Sequence, residues 1–222
     1  MTAPERFAEL PLAAISDALD LVGFAGQCEG IRPLDPSFRL VGECFTVEYV
    51  PIEEAAKDQT VGDYIDDVPP GAVIVINNAG RTDCTVWGDL LTLAAKQRGI
   101  AGTVIDGVAR DFRFSSELNY PLFSLGIYMR TGKGRVGLRA VQEPTTFRGV
   151  EISPGDIVIG DADGIVVVPN PIRQEVWDLA RKVEETEDKI RHAIMSGQTL
   201  TAARRRFGYH SLAAGKVPVD ES

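Results

Sequence analysis

Histidine is scarce in this sequence. His192 and His210 are the 2 present in 222 residues, and both come late in the chain. A His-ligated metal or a Ser-His triad would need a partner from far away in the chain, which argues against both. Cysteine is nearly as rare. Cys28, Cys44 and Cys84 are odd in number and show no CxxC spacing, so neither a disulfide framework nor a thiolate zinc site is indicated, and a reducing cytoplasm fits. No stretch of about 18 uncharged apolar residues occurs, and Thr2, Ala3, Pro4 and Glu5 form no basic, then apolar leader, so a soluble, unexported protein with no membrane partner is expected. Positive charge is in deficit, with 23 Lys and Arg against 32 Asp and Glu, a net charge of −9. That balance disfavours nucleic acid as a partner, because phosphate contacts need clustered cations. Arg204, Arg205 and Arg206 are a local exception and read as a solvated face of a C-terminal helix. No GxxxxGK[ST] or GxGxxG stands at a strand-helix junction, and "RTGKGRVG" at 130–137 reads as a Gly-rich basic turn. A Schiff-base lysine needs an apolar pocket, which neither Lys96, near a helix end, nor Lys133, in that turn, is expected to have.

What remains is an ordinary globular composition, 44% hydrophobic and 25% charged, with 22 glycines and 13 prolines that point to many tight turns. Length allows one full domain with a large core, or a domain with an appendage, and one domain is expected. "PLAAISDALDLV" at 11–22 has helical spacing and Gly23 as its C-cap. "LVGECFTVEY" at 40–49 is rich in strand formers, and "PPGAVIVINN" at 69–78 is a Pro-Gly turn feeding a buried strand. A helix over 87–98, stopped by Gly99, precedes a strand ending at Gly107, which implies α/β layering. Further short strands are expected at 120–126 and through 149–169. From Pro171 to Ser196 a long charged helix carries a stripe of Ile172, Val176, Leu179, Val183, Ile190 and Ile194, which packs on its own sheet or crosses to a neighbouring subunit. A shorter helix follows.

Two places suggest chemistry. Gly88 permits close approach to the backbone, and the amides of Asp89, Leu90 and Leu91 at a helix start suit a small carboxylate. "DGVARD" at 106–111 lies at the carboxyl end of a strand, where α/β sheets place their sites. There Arg110 offers a planar fork for a carboxylate or keto oxygen, and Asp111 offers an oxygen ligand for a hard divalent cation. Taken alone, each of these features also reads as ordinary structure, Asp89 as a helix-start acid and Arg110-Asp111 as a surface ion pair.

The stretch "WGDLLTLAAKQRGIAGTVIDGVARD" resembles the RraA-like family, which includes the metal-dependent pyruvate aldolases acting on 4-hydroxy-4-methyl-2-oxoglutarate and 4-carboxy-4-hydroxy-2-oxoadipate. Asp89, twenty intervening residues and then Arg110-Asp111 match the aldolases' signature. "SDALD", "RLVGECFTV", "PPGAVIVINNAG", "YPLFSLG" and "ISPGDIVIGDADGIVVVP" extend the likeness over roughly residues 10–210. The resemblance implies a three-layer α/β/β sandwich of the swivelling type over residues 1–170, with a helical extension over 171–222. It also implies a homotrimer or homohexamer whose sites lie at subunit boundaries.

By the same resemblance, Gly88 to Leu91 hold the pyruvate carboxylate, Arg110 meets the keto or enolate oxygen, Asp111 binds Mg2+ or Mn2+, and Asp89 positions a water that exchanges protons with the substrate. A neighbouring subunit supplies a C-terminal acid, for which Glu187 in the run Glu184, Glu185, Glu187, Asp188 is the candidate. Oxaloacetate decarboxylation is implied as a second activity. The family's namesake acts instead by contact with a ribonuclease, so a binding module is the alternative. A distal substrate carboxylate would be met by Arg81, Arg113, Arg130 or Arg135, which the sequence does not rank.

Overall fold

Chain chemistry brackets the first two helices. Thr2 and Glu5 form a capping box at the start of α1 (Ala3–Phe7), and Gly23, at φ 77°, closes α2 (Leu12–Val22) in the left-handed conformation that glycine tolerates best. A computed structural model of the chain describes residues 2–55 and 61–209. Among these, the mixed α/β architecture and the C-terminal helices expected from the sequence are found.

An eight-stranded sheet forms the body. Its strands are β1 (Arg32–Pro33), β2 (Leu40–Pro51), β3 (Val73–Thr85), β4 (Gly102–Ala109), β5 (Leu122–Ile127), β6 (Val136–Val141), β9 (Ile157–Asp161) and β10 (Gly164–Val168). The order is β1-β5-β4-β3-β2-β9-β10, with β6 also on β2. Strands β2 to β5 run parallel, and the remaining pairings are antiparallel. All eight residues of β4 are buried, as the continuous apolar run of a central parallel strand requires. Strand β2 is long enough to partner twice on one side, β9 through Leu40–Glu43 and β6 through Val47–Pro51. A separate hairpin joins β7 (Thr145–Phe147) to β8 (Val150–Ile152).

Helix α3 (Asp89–Gln97) links β3 to β4, and α4 (Phe112–Glu117) links β4 to β5. Trp87, Ala95, Ile100 and Tyr120 join the sheet's main hydrophobic core, and Trp87 is 2% exposed. A second core gathers Phe7, Ile15 and Leu19 with Ile157 and Val166 of the sheet and with Val176 and Ala180 of α5 (Arg173–Met195). The first part of the long helix therefore packs on its own chain. Farther along, Ile190 and Ala193 pack against Ala203 of α6 (Leu200–Arg206). No helix among the described residues is long and apolar enough to cross a membrane.

Strand β3 departs from expectation. It continues seven residues past Asn78, to Thr85, by way of two bulges: Asn77 pairs with Asp106, Arg81 with Gly107 and Thr85 with Val108. Ala79 (φ 53°) and Gly80 (φ 68°) make the first bulge left-handed. The detour carries the end of β3 alongside the end of β4, which builds the site.

Candidate active site

Thr85 ties the two strand ends together. Its hydroxyl accepts from the Trp87 N–H at 3.1 Å and lies 2.9 Å from the carbonyls of both Trp87 and Val108, able to donate to either. The Arg110 N–H donates to the Trp87 carbonyl at 3.3 Å. The Trp87 indole N–H donates to Thr92 Oγ1, which donates to the Gly88 carbonyl, each at 2.9 Å. These bonds fix the start of α3 against the end of β4. Nothing in the spacing of Thr85, Trp87 or Thr92 marks them in the sequence as supports of the site.

Gly88 is the N-cap of α3 at φ −159° and ψ −164°, extended backbone open to any residue. Space is what demands glycine. A Cβ there would stand 2.8 Å from Asp111 Oδ2 and 3.0 Å from Arg110 Nε. The sequence explained Gly88 by the approach of another molecule; the structure shows the approach of Arg110 and Asp111 of its own chain. Asp111 sits at φ 57°, ψ 35°, a left-handed position that Asp tolerates better than most residues, at a cost of about 1 kcal/mol.

Its Oδ2 accepts the Asp89 N–H at 3.1 Å and lies 3.3 Å from Arg110 Nε. Asp89 Oδ1 accepts the Leu90 N–H at 2.8 Å, and among the described residues no acceptor meets the Leu91 amide. Gly88, Asp89, Leu90, Leu91, Arg110 and Asp111 are thus brought together. Two of the helix-start amides are engaged by the chain's own carboxylates, a competition invisible in the sequence.

A cavity of about 160 Å3 opens beside these residues, lined by the segment Thr85 to Leu91, Arg110, Val61, Thr131 and Lys133. That volume suits a small acid with a few waters. Gly62 (φ 107°) comes so close to Leu91 that a Cβ would meet its Cδ2 at 2.7 Å, which fixes one wall. The opposite contributor is the segment read from sequence as a solvated basic turn. It is sewn to β3 by a Thr85–Thr131 bridge and by the Thr85 N–H, which donates to the Arg130 carbonyl at 2.9 Å.

None of the four arginines proposed for a distal carboxylate lines this cavity. Arg113 pairs with Glu117 at 2.8 Å on the surface. Arg135 Nη1 donates to the carbonyls of Thr131 and Lys133. Arg81 and Arg130 lie with Arg135 near Cys84, whose thiol burial pushes up, with Asp83 adding to the rise and the three guanidinium groups opposing it. Lys133 lines the cavity, and "GKG" was the available signal for it.

Glu187 lies elsewhere. It is on α5, 3.3 Å from Arg191, which also binds Glu184 and Asp188. Asp17 of α2 is its neighbour, with a carboxyl that burial raises above the usual range and that the Glu187 charge raises further. Within one chain Glu187 is not among the residues lining the cavity. His192 Nδ1 lies 2.8 Å from the Asp188 carbonyl, away from the site, and His210 falls outside the described residues. Arg204 stacks on Tyr209 and Arg206 on Phe207, Lys96 bonds the Asn119 carbonyl, and the three cysteines are free and buried.

No group of three or more His, Cys, Asp or Glu among the described residues could hold a metal ion. The donors here are hard oxygens: Asp111 Oδ1 and Asp89 Oδ2 accept from no protein donor among the described residues. Such a set fits magnesium or manganese, which keep much of their water shell, and does not fit a zinc cage.

The model of the RraA-like family, described as Aldolase/RraA, matches residues 12–167. DlpA of Legionella pneumophila is 44% identical over 89% of this chain, which spans about a third (32%) of that longer protein. A Halalkalibacterium halodurans protein provisionally named 4-hydroxy-4-methyl-2-oxoglutarate aldolase is 36% identical over 88% of this chain and 89% of its own length. Among solved structures, an uncharacterized protein from Pseudomonas syringae pv. tomato superposes with a TM-score of 0.85 at 48% identity, covering 91% of this chain and 96% of that one. Streptomyces coelicolor RraAS2, described as an unusual member of the RNase ES inhibitor RraA family, gives 0.74 at 29% identity, covering 84% and 93%. The fold is therefore of the RraA type.

Proposed function

Because the chain belongs to the RraA-like family, we propose that it is a divalent-metal-dependent aldolase that cleaves a 4-hydroxy-2-oxo acid to pyruvate, with oxaloacetate decarboxylation at the same site. The observation that carries this reading is the convergence of Arg110 and the start of α3 on one small cavity, with Asp111 beside it, 3.1 Å from the Asp89 amide and 3.3 Å from Arg110 Nε. Both reactions leave an electron pair on the pyruvate unit, and the barrier falls when the resulting enolate oxygen is stabilised more than the ketone. Arg110 presents donors to that oxygen, and its backbone bond to Trp87 holds it at the cavity wall. An incoming carboxylate takes the Leu91 amide and competes with Asp111 for that of Asp89. Asp89 Oδ2 would orient a water that takes up the proton of the 4-hydroxyl as the C3–C4 bond breaks and delivers one to C3 of the pyruvate enolate. Asp111 would hold Mg2+ or Mn2+, which supplies Lewis-acid stabilisation of the developing negative charge. In a trimer or hexamer, Glu187 of a neighbouring subunit would complete the site.

Relatives named as aldolases support a lyase at the family level, whereas the likeness to RraAS2 supports a second reading, a regulator acting by protein contact. Pyruvate release from 4-hydroxy-2-oxo acids and from oxaloacetate, with and without a chelator, separates them. We expect metal-dependent turnover that falls about 10²- to 10³-fold in Asp111→Asn or Arg110→Met, the loss typical of a deleted transition-state stabiliser. Absence of metal-dependent turnover on the whole panel favours the regulator.

A further inference from the structure

The bulge that carries β3 alongside β4 gathers buried polar atoms that the proposed chemistry does not use. Among the described residues, Asn78 Nδ2, Asn78 Oδ1 and Arg81 Nε are buried without a protein hydrogen-bond partner, and all three lie within the short stretch Asn78–Arg81. Asn78 is 0% exposed. Alternation along β3 explains where its side chain goes. Asn77 donates from Nδ2 to Thr145 Oγ1 at 2.9 Å and to the Thr146 carbonyl at 3.0 Å, toward the β7–β8 hairpin. Asn78 therefore faces the other side of the sheet with Ile74 and Ile76, the side on which Thr103 meets the Tyr120 hydroxyl at 2.8 Å.

Gly107 of β4 lies directly against that amide. A Cβ on Gly107 would stand 3.1 Å from Asn78 Nδ2 and 3.0 Å from the Arg81 carbonyl oxygen. Both flanks of β4 are irregular at this level: β3 shifts register between Asn77 and Arg81, and the pairing with β5 skips from Ile105 to Val108. The main chain at Asp106–Gly107 is thus released from regular pairing with β5, beside an amide that has two N–H donors and an acceptor oxygen to satisfy. A leucine would fill the same volume without that demand, so the amide calls for a ligand. The ligand must donate to Oδ1 and accept from Nδ2. A cation answers only the first atom and an anion only the second, and Asp106, the strand's own carboxylate, is turned to Arg148 at 3.5 Å. Water answers both, and an enclosed water with about three partners is ordinary in a protein interior.

We propose that Asn78 binds one buried water at the seam of β3 and β4, and that this water bonds the released main chain at Asp106–Gly107, just before the strand delivers Arg110 and Asp111. The site does not depend on which reaction the cavity carries out. A high-resolution crystal structure of the full chain should show density within about 3.2 Å of both Asn78 Nδ2 and Oδ1 and of a main-chain atom of Asp106 or Gly107. Asn78→Leu keeps the volume but evicts the water and leaves those main-chain groups unpaired. Its thermal melt should fall by about 3–10 °C, where removal of a dry, unpaired amide would raise it. Relaxation dispersion of the water 17O signal should lose a slowly exchanging water in this variant, and hydrogen exchange at Gly107 and Val108 should quicken about tenfold. Asn78→Ser, which keeps a hydroxyl and makes room, should retain a slowly exchanging water. An amide turned onto protein partners, no density beside it, or a peak about 2.0–2.6 Å from Oδ1, the distance of a bound cation, overturns the assignment. So does a leucine variant that melts at or above the wild-type temperature, or one that keeps every slowly exchanging water. If Asn78→Leu does not fold, the wild-type density and the serine variant decide: water at both carries the proposal, and its absence from either overturns it.

Discussion

Replacing Gly88 with alanine separates chemistry from stability more cleanly than any change to a charged group. The backbone at φ −159° and ψ −164° accepts alanine without strain, so the added methyl acts through contact alone. At 2.8 Å from Asp111 Oδ2 and 3.0 Å from Arg110 Nε, it forces the carboxylate back by about 0.6 Å to reach an ordinary contact. Both neighbours are side-chain atoms able to swing, so the fold absorbs the insult while the two functional groups lose their mutual placement. Misplacement by about 1 Å costs roughly a hundredfold in rate, so a tenfold to hundredfold drop in kcat/KM is expected here. Alanine is a poorer N-cap than glycine by about 0.5–1 kcal/mol, a melting-temperature loss of a few degrees at most for a chain of this size. Pyruvate release coupled to lactate dehydrogenase reads the first quantity and a thermal melt the second. Activity within twofold of wild type, or a melt lowered by more than about 10 °C, would refute this account of why glycine stands there.

Other perturbations read the scaffold. Thr85→Val keeps the shape but removes the hydroxyl shared by Trp87 and Val108, and should cost about 1–3 kcal/mol in denaturant unfolding; a smaller loss would mean the strand ends are tied by other means. Arg148→Met strips the cation 3.5 Å from buried Asp106, whose carboxyl desolvation raises and Arg148 lowers. In the variant Asp106 rises further, so its charged form costs stability above that raised value and the cost fades as pH falls and the group takes up a proton. We expect about 1–3 kcal/mol of destabilisation at pH 7, shrinking toward pH 4, in chemical denaturation across pH. A loss independent of pH would place the effect in packing.

Much of this molecule can be read from its residues because apolar periodicity survives in them. The run Val73–Ile76 is a buried strand, Gly23 and Gly99 stop their helices, and the first part of the long helix's stripe, Val176 and Leu179, faces a core, whereas Ile194 at its far end is exposed. The offset from Asp89 to Arg110-Asp111 likewise marks residues that meet in space. Local signals misled where tertiary pairing overrode them. Asn-Asn-Ala-Gly reads as a strand's end, yet it is a bulge that β4 accommodates, and β6 (Val136–Val141) hides behind a Gly-Lys-Gly turn. The short helices α1 and α4 are too brief for periodicity to register. Which cation enters the cavity is set by the placement of the 130–135 segment against Thr85, a long-range contact without a spacing signature.

That backbone seam also divides the molecule's evolutionary freedom. The groups assigned to bond breaking sit on one unbroken stretch from Thr85 to Asp111, while Lys133 lines the same cavity from another stretch, joined to the first through main-chain atoms that no side-chain replacement removes. Descendants could exchange Lys133 or its neighbours and inherit a reshaped cavity with the first stretch intact, so diversification would be expected to concentrate in that short segment.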